Sequence, residues 1–197
     1  EGNDVYLLTK KSLENEIWPW ESIKDVFYID EWNQNDVVKG IAFVFRQIKF
    51  DRFIALDDFD VEKVALLREH FRIPGMGRTT AHYFRDKLAM RMKAKEEGVN
   101  VPEFSALFYD GDINEYVDRV GPPWLLKPRM EASATGIKKI HSKEELWQVV
   151  HDLGDERDNY LVEKFAPGDV YHVDGLTVDG KVLFSRVSKY LDTPLEV

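Results

Sequence analysis

The sequence predicts an α/β protein in two parts: a small doubly wound parallel-sheet domain, then an α+β module. Three observations carry that prediction. Up to residue 73, short apolar runs of buried-strand type alternate with helical segments, the rhythm of a parallel sheet with crossover helices. At Ile73-Pro74-Gly75-Met76-Gly77 that rhythm breaks on a proline and two glycines. From Trp124 onward the order becomes strand, loop, strand, helix, strand and hairpin.

In the first part, Val5-Tyr6-Leu7-Leu8 and Val26-Phe27-Tyr28-Ile29 are short apolar strands. Residues 17–24, with two tryptophans and a proline, predict neither helix nor strand. Residues 37–45 mix both signals, and Ile41-Ala42-Phe43-Val44-Phe45 is too apolar for an exposed surface. Phe53-Ile54-Ala55-Leu56 reads as a buried strand ending in acids. Asp60 is a good N-cap, and Val61, Val64, Leu67 and Phe71 then recur on one helical face.

Beyond the break, a single helix is expected over 80–97, with Ala81, Phe84, Leu88 and Met92 on one face and Gly98 as its C-terminal cap. A strand at 104–108 and a helix at 112–120 follow. Gly121-Pro122-Pro123 then leads into the strand Trp124-Leu125-Leu126-Lys127-Pro128. After a loop of small residues come a strand at 137–140 and the helix Lys143–Leu153, whose Ser142 and Glu145 have capping-box spacing. Tyr160–Lys164 is a strand. Residues 169–176 and 181–185 predict a hairpin turning at Asp179-Gly180.

Composition removes several classes of function. The 197 residues are 44% hydrophobic and 32% charged, ordinary values for a globular protein. No apolar run approaches the roughly 18 residues that span a bilayer, and no secretory-type segment opens the chain, so no membrane partner is expected. Cysteine is absent, which excludes disulfides, thiolate zinc sites and a cysteine nucleophile. With 36 acidic against 27 basic residues, a net charge of −9 argues against a nucleic-acid partner but allows a local basic pocket for one nucleotide. There is no Gly-x-Ser-x-Gly elbow and no Walker lysine motif. The five histidines lack metal-site spacing, and only His172 stays in view. The chain opens on Glu1 and stops at Val197 just after a strand-like run, so it reads as an excised or processed fragment.

The chemistry gathers between Lys127 and Glu163. Alone, Lys127 is an ordinary surface lysine, and Glu163-Lys164-Phe165-Ala166 is a strand running out into solvent. Beside Lys127, however, runs the loop Met130-Glu131-Ala132-Ser133-Ala134-Thr135-Gly136, whose small side chains let backbone N–H groups approach phosphate oxygens. A lysine, a small-residue loop and a glutamate closing a strand together suit a nucleoside triphosphate: cation and loop for the phosphates, strand end for the base.

The order of motifs resembles the ATP-grasp superfamily, especially its carboxylate–amine and carboxylate–thiol ligases. The matching pieces are Asp57-Asp58, Ile73-Pro74-Gly75-Met76, Arg85-Asp86-Lys87-Leu88-Ala89-Met90-Arg91 and Gly98-Val99-Asn100-Val101-Pro102. Leu125-Leu126-Lys127-Pro128 with its loop, and Val162-Glu163-Lys164-Phe165-Ala166-Pro167-Gly168, complete the set. Each is weak, but their order and separations make the match strong over about residues 50–185. The resemblance implies a Rossmann-like domain at 1–74 and a connecting helix and strand at 75–121. It further implies an ATP-grasp lid at 122–166 and, at 167–197, the start of a truncated C-terminal subdomain.

By motif position, Lys87 and Lys127 contact ATP, and the loop with Ser133, Ala134, Thr135 and Gly136 closes over the phosphates. Glu163, Lys164 and Ala166 hold the adenine, and Phe165 packs beside it. The family often has an acid seven residues after the first hinge acid; here that position is Val170, and Asp169, His172 or Asp174 are the substitutes in reach. The implied cofactors are ATP and Mg2+, the metal ligands falling outside this chain. The implied partners are ATP and a small carboxylate, and a homodimer is compatible with the family. The resemblance also implies a cytoplasmic location. The implied reaction is phosphorylation of a carboxylate to an acyl phosphate, then attack by an amine or similar nucleophile. A fragment without metal ligands is expected to be inactive; a non-catalytic ATP-binding module is the alternative reading.

Overall fold

The computed structural model describes residues 2–132 and 134–192. The chain divides into two compact units, residues 1–78 and 79–197. Parallel and antiparallel sheets are both present, and no helix among the described residues is long and apolar enough to cross a membrane.

In the first unit, β1 (Tyr6–Lys10) pairs in parallel with β2 (Asp25–Ile29). Between them, the stretch that predicted no element carries a 3-10 turn at Trp20–Ser22. The mixed signal after β2 resolves as helix α1 (Gln34–Val44), because Asn33 caps it by accepting the Asp36 N–H at 3.1 Å. Its apolar end does not bury as a block. Phe43 stays exposed, whereas Phe45 stacks on Phe71 at 4.9 Å and meets Phe50 and Phe53 edge-on. This aromatic cluster is much of the unit's interior.

Two expectations fail here. Residues 53–56 are irregular rather than a buried strand, with Ile54 73% and Leu56 77% exposed. Phe53 and Ala55 are half-buried, and the Phe53 carbonyl accepts the Arg68 Nε–H at 2.8 Å. Asp60 precedes helix α2 (Val61–Phe71) but makes no capping bond, because its backbone is already helical (φ −98°, ψ −9°). Its carboxylate pairs with Lys63 at 2.8 Å, and Asp57 instead caps the preceding turn through the Phe59 N–H.

In the second unit, the expected long helix is two. α3 (Arg78–Arg85) ends at Asp86, and α4 (Lys87–Glu96) begins after it. Asp86 takes an extended conformation (φ −87°, ψ 111°), and its side chain accepts the Leu88 N–H at 2.9 Å. A carboxylate that can cap a new helix competes with continuing the old one. The break also changes the helical phase: Ala81 and Leu88 are buried, whereas Phe84 and Met92 are exposed. Gly98 ends α4 as expected, at φ +74°, with its N–H on Lys95 O at 3.1 Å and that of Val99 on Ala94 O at 2.8 Å.

Four antiparallel strands follow, in the order β3-β6-β4-β5. In chain order they and their helices are β3 (Phe104–Ala106), α5 (Asp110–Arg119), β4 (Trp124–Pro128), β5 (Lys138–Ile140), α6 (Lys143–Leu153) and β6 (Tyr160–Lys164). One face carries Trp124, Leu126, Ile140 and Val162 against Ile113, Tyr116 and Val117 of α5 and Leu146 and Val150 of α6. The polar atoms entering this core are satisfied: Trp124 Nε1 donates to Val120 O at 2.8 Å and the Tyr116 hydroxyl to Glu103 O at 3.1 Å. Ser142 caps α6 through the Glu145 N–H at 3.1 Å, while the Glu145 carboxylate reaches back to the N–H of His141, one residue beyond the usual partner. Last, β7 (Tyr171–Val178) and β8 (Lys181–Lys189) form an antiparallel hairpin of their own. Asp179 and Gly180 turn it with positive φ at both positions, 49° and 73°.

Helices α2 and α4 end alike but with different residues in the left-handed position, Arg72 (φ 56°) in one and Gly98 in the other. Arg72→Gly is therefore expected to stabilise the first unit by about 0.5–1 kcal/mol, and Gly98→Ala to destabilise the second by about 1 kcal/mol. Denaturant unfolding followed by helical circular dichroism reads both signs; shifts of the same sign refute the assignment.

Candidate nucleotide-binding site

The site begins with strand alternation. β4 and β6 pair with Leu125 opposite Glu163 and Lys127 opposite Leu161. Trp124, Leu126 and Val162 enter the core, so the intervening Leu125, Lys127, Leu161 and Glu163 share the other face. α4 lies over that face, with Lys95 above the Phe104 ring (5.8 Å) and Arg91, one turn earlier, reaching Glu163. Lys87, a further turn back, continues the same row.

Glu163 is 3% exposed. Its Oε2 accepts from Arg91 Nε at 3.1 Å, and its Oε1 from the Lys127 ammonium. A carboxylate so deep needs both cations, because burial removes the water that would otherwise solvate it. A second buried acid stands nearby: Asp86 accepts Arg129 Nε at 3.0 Å, and a second nitrogen of the same guanidinium on its other oxygen. Burial pushes the Asp86 pKa up, but Arg129 and the N–H groups of Leu88 and Ala89 outweigh it and hold the carboxyl below its ordinary value.

The root of the small-residue loop is fastened to the start of α4. The Lys87 N–H donates to Arg129 O at 3.0 Å, Arg85 to Met130 O at 2.9 Å, and the Lys87 ammonium to Glu131 O. The Lys87 ammonium thus donates its hydrogen bond to a neutral carbonyl. Burial lowers its pKa, as do the charges of Arg85, Lys127 and Arg91, against a smaller opposing pull from Glu131. Arg85, Lys127 and Arg91 thus stand close enough to Lys87 to act on its charge, a local concentration of cation that suits a polyanion.

Of the residues expected at the site, Lys87, Lys127 and Glu163 come together around this cluster. Ser133 lies outside the described residues. In the described part of the loop, the Thr135 N–H donates to Ala132 O (3.2 Å) and the Ile137 N–H to Ala134 O (3.3 Å), and Ala134 has φ +60°. Gly136 (φ +73°) has no room for a side chain, since a Cβ would stand 2.9 Å from Cγ of Pro128. The Lys164 side chain points elsewhere, donating to Gly121 O at 2.7 Å and Pro122 O at 2.9 Å. Phe165, the residue before Ala166, lies under Lys139 Nζ, 4.0 Å from the ring centroid, and its N–H holds Pro123 O. Asp169 and His172 belong to the separate hairpin, Asp169 paired with Lys189 at 2.7 Å and His172 with Asp174 at 3.3 Å.

Arg91, Arg129, Arg85 and Asp86 belong to the cluster although sequence reasoning left them out of it. Two carried a usable signal: Arg91 stands four residues after Lys87 on a helix, and Arg129 two after Lys127, just past the end of β4. Among the described residues, no group of three or more His, Cys, Asp or Glu side chains is placed to hold a metal ion.

No family model matches the chain. It is 30% identical over 172 residues, 84% of its length, to an L-arginine-specific L-amino acid ligase of Bacillus subtilis, and spans 42% of that protein. The chain thus spans less than half the length of the curated relatives it matches. Its fold matches an L-amino acid ligase from Bacillus licheniformis (TM-score 0.69, 16% identity, 98% of this chain and 52% of that one). It also matches an N5-carboxyaminoimidazole synthetase from Staphylococcus aureus complexed with ADP (TM-score 0.64, 15% identity, 97% and 49%).

The Asp86 geometry has a pH signature. A carboxyl whose folded pKa is depressed stabilises above its unfolded value and loses that stabilisation as pH falls through the folded one. Asp86→Asn keeps a capping oxygen but drops the charge. The melting-temperature difference between wild type and Asp86→Asn is expected to be level above about pH 5 and to shrink as pH falls below about 4. A difference that stays level to the end of the acid range refutes it.

Proposed function

We propose, from the premise that this chain is homologous to ATP-grasp ligases over the part of them that it spans, that it carries the lid and adenine hinge of an ATP-dependent carboxylate–amine ligase. The observation that carries the reading is the positive charge gathered by α4 and β4 at the root of the 129–136 loop, with Lys87 half-buried and bonded to a carbonyl. A triphosphate supplies an anion for the Lys87 ammonium. Lys87 and Lys127 meet its phosphates, and the loop with Ala134, Thr135 and Gly136 closes over them through backbone N–H groups such as those of Ala134 and Gly136. Glu163 accepts from the amino group of the base, the main chain of Lys164 and Ala166 borders it, and Phe165 packs alongside. Residues 122–166 act as the lid, and 167–197 open the subdomain facing it.

In the reaction, a carboxylate oxygen attacks the γ-phosphorus and ADP leaves, giving an acyl phosphate; an amine nitrogen then attacks the acyl carbon and phosphate leaves. This chain's own contribution is to position the triphosphate, neutralise its charge and exclude water from the acyl phosphate. The described residues form no metal cage, and no step is assigned to magnesium. The amino-acid substrates named for the Bacillus subtilis relative make amino acids the first class to test as acid and amine.

Calorimetric titration of the 197-residue chain with ATP tests the binding half. Lys87→Ala and Lys127→Ala are each expected to weaken ATP about tenfold or more, the scale of a lost charge-assisted hydrogen bond. Unchanged affinity in both refutes the site. Turnover is read separately: the chain alone is expected to release no ADP with amino acids present, whereas a longer form containing the remainder of the ligase releases it. A longer form that binds ATP without turnover supports a non-catalytic ATP-binding module instead.

A further inference from the structure

Glu163 is held by two cations that differ in what else they can do. Lys127 ends a strand beside the small-residue loop, and its flexible side chain reaches Oε1. Arg91 comes from the middle of α4, reaches Oε2 at 3.1 Å, and belongs to the helix whose start fastens the loop root. Each Glu163 oxygen thus accepts from one cation. Each oxygen has a second lone pair, but at 3% exposure the two donors crowd the carboxylate, so a base amino group gains access to it as one donor withdraws. Lys127 is the donor with somewhere to go, since a triphosphate draws its ammonium toward the phosphates. Once it leaves, a carboxylate at 3% exposure still needs a counter-charge.

We infer that Arg91 is a positioning residue that acts through Glu163 and sets the preference of this site for an amino-bearing purine. It keeps the carboxylate charged and fixed after Lys127 has moved to the phosphates, with Oε1 turned to the base. The inference rests on the nucleotide reading above and goes beyond it in assigning base discrimination to a side chain that need not touch the nucleotide. Adenine presents an exocyclic amino donor to Oε1. Hypoxanthine presents a carbonyl at the same position, which offers no proton and faces the carboxylate with a second acceptor. Arginine suits the task because its guanidinium stays charged and its planar fork holds one orientation.

The test measures ATP and ITP binding to wild type, Arg91→Gln and Arg91→Lys in the 197-residue chain, with thermal melting of each variant as a check on folding. Wild type is expected to prefer ATP by about tenfold or more, the usual scale for a charge-assisted hydrogen bond. Arg91→Gln is expected to bring the two affinities within about threefold of each other, chiefly by weakening ATP, and Arg91→Lys to restore most of the preference. Equal losses for ATP and ITP in Arg91→Gln, at any melting temperature, overturn the inference, because a purely structural or phosphate role predicts equal losses. A wild type that binds ATP and ITP alike overturns it while leaving the nucleotide site standing. A wild type that binds neither overturns both. If Arg91→Gln is unfolded, Arg91→Met is measured in its place: a collapsed ATP preference with ITP affinity kept supports the inference, and a preference that persists, whether with unchanged affinities or with parallel losses, overturns it.

Discussion

The buried carboxylate of Glu163, held between Lys127 and Arg91, is the constraint on which the second unit depends. One side chain ties three elements: β6, which carries it, β4, which brings Lys127, and α4, which brings Arg91. Burying the charge is unfavourable unless both cations stay close, so electrostatics helps to hold the helix to this face of the sheet, where Leu125 and Leu161 are buried as well. Removing one member of such a set leaves an uncompensated charge, and this couples the geometry of the helix to that of the strands.

The other half of the arrangement is the apolar core. Trp124, Leu126 and Val162 lock β4 and β6 against α5 and α6, which fixes strand register. Because alternation along a strand is strict, a locked register also decides that Lys127 and Glu163 emerge on the same face. The hydrophobic residues thus place the polar ones. Asp86 extends the logic: by ending α3 and capping α4 it sets where Lys87 begins, and by binding Arg129 it ties that point to the loop root.

The strands and helices of the second unit were largely legible in the sequence. Their signals are local: the alternation around Trp124, the Ser142 and Glu145 spacing, Asp179-Gly180 at the hairpin. Lys87, Lys127 and Glu163 were legible as a motif order. Less legible were features with competing local solutions. Asp86 could sit inside a helix or start one, and only its bonds to Leu88 and Arg129 favour the second. Asp60 had the chemistry of a cap but a backbone that cannot use it. Phe53 to Leu56 had strand composition without a neighbouring strand to pair with among the described residues.

By itself, then, the sequence determined the alternation of elements, the strand ends that carry Lys127 and Glu163, and the small-residue loop between them, since propensity, periodicity and turn chemistry act over a few neighbouring residues. Only the tertiary structure decided that Arg91 and Arg129 join the cluster, that Lys164 is spent on the carbonyls of Gly121 and Pro122, and that Asp169 and His172 belong to the separate hairpin. Those outcomes depend on which charges meet across distances of tens of residues in the chain. A buried charge chooses its partner by proximity in space, and proximity is created by the packing of the sheet and helix, not by the order of residues.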